Sequence, residues 1–194
     1  ESHFGGHSQT INISYQEKKQ IAVDIGFIVF NEKTYPNLIK FFKENKIQVE
    51  KSNMSFSVKV KDTNFEYCGK GISGVFSNRK NILNPKFIKM FFEIINFYKK
   101  CANINIVKLS KETLGDFLKK ENLSEYFINY HIIPMVSAIW SMHPHEAKQM
   151  PLIFFINFFK NHGLFKLKNR PQWFTVSNRS KTYVDKVISQ ISGE

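Results

Sequence analysis

Apolar and polar residues alternate from Thr10 to Tyr15, a charged stretch covers Gln16–Gln20, and Ile21-Ala22-Val23-Asp24 then resumes the apolar run. Alternation sends successive side chains to opposite faces of an extended strand, so this pattern predicts a β-hairpin. A short apolar stretch, Gly26 to Phe30, follows. From Tyr35 to Asn45 the period lengthens. Leu38, Ile39, Phe41 and Phe42 fall on one side of a helix, with Pro36 in its first turn, where a missing N–H is harmless. Residues 47–68 read as β structure again. Phe56, Val58 and Val60 share a face, Asp62-Thr63-Asn64 supplies a turn, and Phe65-Glu66-Tyr67 pairs back. Gly69, Gly71 and Gly74 mark a loop.

Beyond residue 78 the pattern becomes helical. Asn84-Pro85 opens a long helix through Lys100, with Phe87, Met90, Phe91, Ile94, Ile95 and Tyr98 at helical spacing. Thr113 caps a helix carrying Leu114, Phe117 and Leu118, and Asp116 stands where a capping box needs its acid. Ser124 caps the next. Pro134–Ser141, Pro151–Lys160 and Thr182–Ile191 read as further helices, with no internal repeat and no low-complexity linker. Strands first and helices later predict an α/β or α+β protein with an inserted helical region.

Composition adds detail. Twenty Phe in 194 residues imply an aromatic core or pocket. The net charge of +12 has three readings: a basic face for nucleic acid, a face for an anionic membrane surface, or background in a chain rich in Lys, Asn, Ile and Phe. The lysines are scattered and their clusters are mostly pairs, such as Lys18-Lys19, Lys99-Lys100 and Lys119-Lys120, which favours background. A peripheral membrane contact remains the alternative. Nucleic acid is not expected as a partner, because the aromatics fall at buried helical spacing rather than interleaved with Lys. Cys68 and Cys101 have no metal or CxxC spacing, which fits a reduced, cytoplasmic chain. Sequons at Asn12, Asn53, Asn122 and Asn178 are near chance in so Asn-rich a sequence. The apolar runs Ile132–Trp140 and Met150–Phe159 are too short for a membrane span.

Chemistry points to the beginning of the chain. It starts with Glu rather than Met and reads as entered in mid-fold. Glu1 suits the acid that ends a second dinucleotide-fold strand and binds ribose hydroxyls. Gly5-Gly6 lack β-carbons, so backbone can lie close to ribose or pyrophosphate. His7, Ser8 and Thr10 offer donors beside them.

The pattern Glu1-x-x-x-Gly5-Gly6-His7-x-x-Thr10, followed after a hairpin by Asp24-Ile25-Gly26-Phe27, resembles the flavin-containing amine oxidoreductase superfamily. Within it the chain is similar to a bacterial subgroup of predicted FAD/NAD-binding, amine-oxidase-like proteins. Asp24 to Asn31, Thr34-Tyr35-Pro36-Asn37, Asn53 to Ser57, Pro134 to Ser141, Asn161-His162-Gly163-Leu164 and Arg170-Pro171-Gln172-Trp173 carry the finer likeness. The resemblance implies an α/β fold: a partial Rossmann-like FAD-binding domain at 1–46, an inserted substrate-binding domain of β-hairpin and helices at 47–170, and a return segment at 171–194. The first strand with its phosphate loop would precede Glu1. FAD is the implied cofactor. Glu1 would bind ribose, Gly5, Gly6, His7 and Thr10 would line the ADP portion, and Asp24, Gly26 and Phe27 would lie toward the flavin. His7 stands where the family more often has Arg. Asn178-Arg179-Ser180 stands where it has Gly-Gly-Ser, and Arg adopts left-handed backbone poorly.

Trp140, His162 and Trp173 are substrate-pocket candidates, each with core packing or capping as its other reading. Tyr130 and His131 face the same choice. The pairs His3/His7 and His143/His145 do not make a metal site. No nucleophile elbow, Walker loop or Cys–His pairing occurs, and the catalytic residues are not identified. The expected function is part of an FAD-dependent oxidoreductase taking a hydride from an amine or a lipid-like substrate, too incomplete to act alone. The alternative is a non-catalytic basic helical module on an anionic membrane or nucleic acid.

Overall fold

A computed structural model describes residues 3–15, 19–61, 63–106, 111–166 and 169–191. In chain order these form β1 (Ser8–Tyr15), β2 (Lys19–Gly26), β3 (Phe30–Asn31), α1 (Pro36–Glu44), β4 (Val49–Ser52), β5 (Ser57–Lys59) and β6 (Glu66–Cys68). Then come α2 (Gly71–Val75), α3 (Pro85–Asn103), α4 (Leu114–Lys120), α5 (Glu125–Phe127), α6 (Ile133–Trp140), α7 (Pro144–Gln149), α8 (Leu152–Asn161), β7 (Trp173–Val176) and α9 (Ser180–Ile191). A 3-10 turn, Arg79–Leu83, precedes α3, and a π-helical turn, Ile128–Ile132, joins α5 to α6. The fold is mixed α/β, and its sheets are small and antiparallel among the described residues. It divides into two compact units, residues 1–54 with 171–194, and residues 55–170.

In the first unit, β1 and β2 form the hairpin that alternation predicts, with Thr10 opposite Asp24 and Ser8 opposite Gly26. A three-stranded sheet has β7 at its centre, between β3 and β4. Here the boundary differs from the sequence reading, which began the inserted domain at residue 47. Lys51 pairs with Phe174 and Val49 with Val176, so ladder hydrogen bonds hold Val49–Ser52 in the first unit. Phe30, Phe42 and Val176 form its small core. Tyr183 of α9 brings its ring to 5.2 Å from Phe42.

The second unit holds the larger core. Hairpin β5–β6 sets Val58 opposite Tyr67. Asn84 caps α3 by accepting from the Lys86 and Phe87 amides, and α3 buries Phe87, Met90, Phe97, Tyr98 and Cys101 on its inner face. Thr113 and Asp116 form a complete capping box on α4, and Ser124 caps α5. Many of the Phe residues pack ring to ring: Phe97 lies 5.3 Å from Phe127 and 6.2 Å from Phe155. The π-helical turn was not foreseen, and Pro134 accounts for it. Proline has no N–H for the carbonyl four residues back, that of Tyr130. The hydroxyl of Tyr67 donates to that carbonyl instead, at 3.3 Å.

Candidate functional site

The residues singled out at the start of the chain converge, within the first unit, on the junction of the β1–β2 hairpin with α9. Gly26 ends β2 with φ +86, and a Cβ there would lie 2.5 Å from the His7 carbonyl oxygen. That carbonyl accepts the Phe27 amide at 2.9 Å, which closes the hairpin mouth. Gly5, at φ +102, is held against Ser8 and the side chain of Val184 in α9. Gly6, at φ +54, faces open space, and the His7 side chain is exposed. Phe27 is half-buried, 5.8 Å from the Tyr35 ring. Glu1 lies outside the described residues.

Asp24 and Thr10 have a definite task here. Thr10 Oγ1 donates to Asp24 Oδ1 at 2.6 Å. The Asp24 carboxylate accepts the Ser180 N–H through both oxygens, at 3.0 and 3.1 Å, and Thr10 Oγ1 accepts the Lys181 N–H at 3.0 Å. Two N–H groups in the first turn of α9 are thus satisfied by the hairpin, and a negative charge sits at the positive end of the helix dipole. The Tyr183 hydroxyl adds a hydrogen bond to Ser8 Oγ. Asn178 and Arg179, just before α9, both have positive φ, 62° and 82°. Arg179 is held there by its Nε–H, which donates to the Ala22 carbonyl at 2.8 Å. The left-handed backbone that glycine serves is therefore present with Asn178, which tolerates it, and Arg179, which adopts it poorly.

Trp140 and His162 belong to the second unit and Trp173 to the first. Trp140 packs on Phe158, with ring centroids 4.6 Å apart. His162 stacks on the same Phe158 at 4.0 Å, and its Nδ1–H donates to the Phe158 carbonyl at 2.9 Å. It is the C-cap of α8, with Gly163 at φ 65 beyond it. Trp173 is buried in β7, opposite Asn31 and Ser52. His143 is the N-cap of α7, its Nδ1 accepting the His145 amide.

The sequence reading weighs His131 as packing or pocket wall; the polar cluster it forms with Tyr67 and Tyr98, inside the second unit, is not legible there. His131, on the π-helical turn, is enclosed. Its Nδ1 is 2.6 Å from Tyr67 Oη and its Nε2 is 3.0 Å from Tyr98 Oη. Burial, reinforced by the Arg170 cation, pushes its pKa down to about 3. The ring is therefore neutral at pH 7, with one N–H and one lone pair, so one tyrosine donates to it and the other accepts. Burial raises the pKa of both phenols. The partners stand 64 and 33 residues from His131, so no local pattern announces the cluster.

The Gly-x-Gly-x-x-Gly spacing also occurs, as Gly69-Lys70-Gly71-Ile72-Ser73-Gly74 between β6 and α2. It is not a dinucleotide loop. A dinucleotide loop needs a parallel strand–helix–strand unit, whereas β6 pairs antiparallel with β5 and α2 has five residues. Gly74 serves packing, since a Cβ there would meet the Cys68 carbonyl oxygen at 2.7 Å, and Gly71 serves the backbone, at φ +71.

Fold and site together define a class only, a mixed α/β chain in two compact units with a helix-capping hairpin. No family model matches this chain, and no curated protein matches it.

Proposed function

We propose that this chain is part of an FAD-dependent oxidoreductase of the amine-oxidoreductase kind, moving a hydride from an amine or lipid-like substrate to flavin. The observation that carries the reading is the backbone of Asn178-Arg179. Two successive left-handed residues stand where that superfamily has Gly-Gly, immediately before a helix. A supporting feature is that both ends of the chain share one unit, with residues 55–170 inserted between them in sequence. The finer Rossmann assignment belongs to this proposal. It requires a parallel sheet and a phosphate loop from outside these 194 residues.

The residues fit the cofactor in part. Gly6 faces open space and His7 is exposed, so both suit close contact with a ribose or phosphate oxygen. Asp24 and Thr10 are already engaged by α9, and they act by positioning that helix. Flavin, when bound, supplies the hydride-accepting chemistry. With the Ser180 and Lys181 amides occupied, this end of α9 has little left for a pyrophosphate, so the chain by itself holds FAD weakly.

Two measurements test this. The open reading frame containing the chain, expressed and purified, is expected to carry or take up FAD, seen as a flavin spectrum released on denaturation. A product that never binds FAD overturns the proposal. Flavin-fluorescence titration of the 194-residue chain is expected to show no sub-micromolar binding.

A further inference from the structure

We infer that the segment from Gly69 to Phe92 in the second unit is a docking surface for an anionic lipid bilayer. The inference is independent of the flavin reading. Most large aliphatic side chains of this unit are inside, yet here Leu83 is 87% exposed and Ile72 is 75% exposed, and Ile82 and Phe92 are also more than half exposed. They do not stand alone. Lys70, Arg79, Lys80, Lys86 and Lys89 are exposed in the same segment, and no acidic residue occurs between Cys68 and Phe92. Lys86, Lys89 and Phe92 follow one another at intervals of three along α3, which keeps them on neighbouring rows of the helix surface. Phe76, after α2, lies 5.8 Å from Phe87 and 5.7 Å from Phe91. This contact holds the end of α2 against the first half of α3, which follows the 3-10 turn that carries Ile82 and Leu83.

A groove of about 330 Å³ opens at the same end of α3, lined by Lys86, Lys89, Ser124, Glu125 and Tyr126. Among the described residues, the acids bordering the surface are Glu66, Glu93 and Glu125. Glu66 lies 3.7 Å from Lys59, and Glu93 accepts from Ser124 and sits 3.9 Å from Lys89. The positive side chains outnumber them.

Bare aliphatic groups among cations match a bilayer surface, where the apolar tips enter the interface and the ammonium groups meet phosphates. Single-stranded nucleic acid calls for aromatic rings that stack on bases, and this surface has one exposed aromatic ring, Phe92. A second copy of the chain would set the five cations against themselves, and isologous contact gives no relief. Among the described residues, no helix is long and apolar enough to cross a membrane.

The experiment is co-sedimentation of the full chain with phosphatidylcholine vesicles, with and without added phosphatidylglycerol. Strong pelleting is expected only with the anionic vesicles, falling as salt rises. Ile72→Ser with Leu83→Ser is expected to weaken it by roughly tenfold or more. Lys80→Glu with Lys86→Glu is expected to cost at least about fivefold for each charge. These side chains are exposed, so thermal unfolding is expected to stay unchanged. Lys40→Glu with Lys43→Glu, on α1, changes net charge equally and is expected to leave pelleting nearly intact. Three results overturn the inference: no pelleting, equal loss from the α1 control, or binding to a single-stranded oligonucleotide without binding to vesicles.

Discussion

The carboxylate of Asp24 accepts the backbone N–H of Ser180, 156 residues later in the chain. A residue near the beginning thus caps the last helix. A charged acceptor at a helix N-terminus is worth about 1–2 kcal/mol. Asp24→Ala is expected to lower the thermal midpoint of the first unit by several degrees. Thr10→Val is expected to cost less, roughly 1 kcal/mol. Because Thr10 bonds to Asp24 as well as to Lys181, the double variant is expected to lose less than the two losses combined. A double-mutant cycle by chemical denaturation measures this coupling.

Gly26→Ala tests the hairpin mouth. The substitution adds a Cβ against the His7 carbonyl at a positive φ, and no side chain rotates away from a backbone atom. A loss of roughly 1–3 kcal/mol is expected. Gly6→Ala, with no neighbour within 4 Å of its Cβ, is expected to cost only its φ, about 1 kcal/mol. If the two variants denature alike, the steric account of Gly26 fails.

His131 predicts a pH dependence. Its pKa is near 3 in the fold and near 6.5 when unfolded. Between those values the unfolded chain binds the extra proton, so stability rises with pH across the window. The contribution is complete above pH 6.5, declines as pH falls, and stops changing near pH 3. By pH 4 the loss is about 3 kcal/mol. His131→Gln keeps one donor and one acceptor without a titrating ring. It is expected to flatten this part of a denaturation-against-pH series, and an unchanged slope would exclude His131 as its source.

The two thiols are expected to differ in reactivity. Cys101 is fully buried, and burial pushes its pKa up to about 12, so almost no thiolate forms at neutral pH. Cys68 is only half-buried. A colorimetric thiol reagent is expected to label Cys68 first and Cys101 only on unfolding. Rapid labelling of both in the native protein would contradict the buried placement.

Much of the local structure was legible because its causes are local. Alternation at Thr10–Tyr15 gave β1, and the Thr113–Asp116 spacing gave a capping box whose partners are one turn apart. Pro36 and Pro85 marked helix starts because a first-turn N–H is dispensable. The candidate site was legible only in part. Gly5, Thr10, Asp24 and Gly26 were singled out, but the function expected for Thr10 and Asp24 was ligand contact, and in the structure they hold α9. The strand pairing of Val49–Ser52 was not legible, since its partner lies near the other end of the sequence.

The sequence by itself determined elements such as β1, α3 and α4, with the local caps and buried faces of α3 and α4, because helix and strand periods and capping bonds act within a few residues. Tertiary structure alone decided that β7 lies between β3 and β4, that His131 meets Tyr67 and Tyr98, and that Asp24 closes onto Ser180. Each of these joins residues far apart in the chain, and the need to satisfy a buried or helix-terminal polar group selects the partner only once the chain has folded.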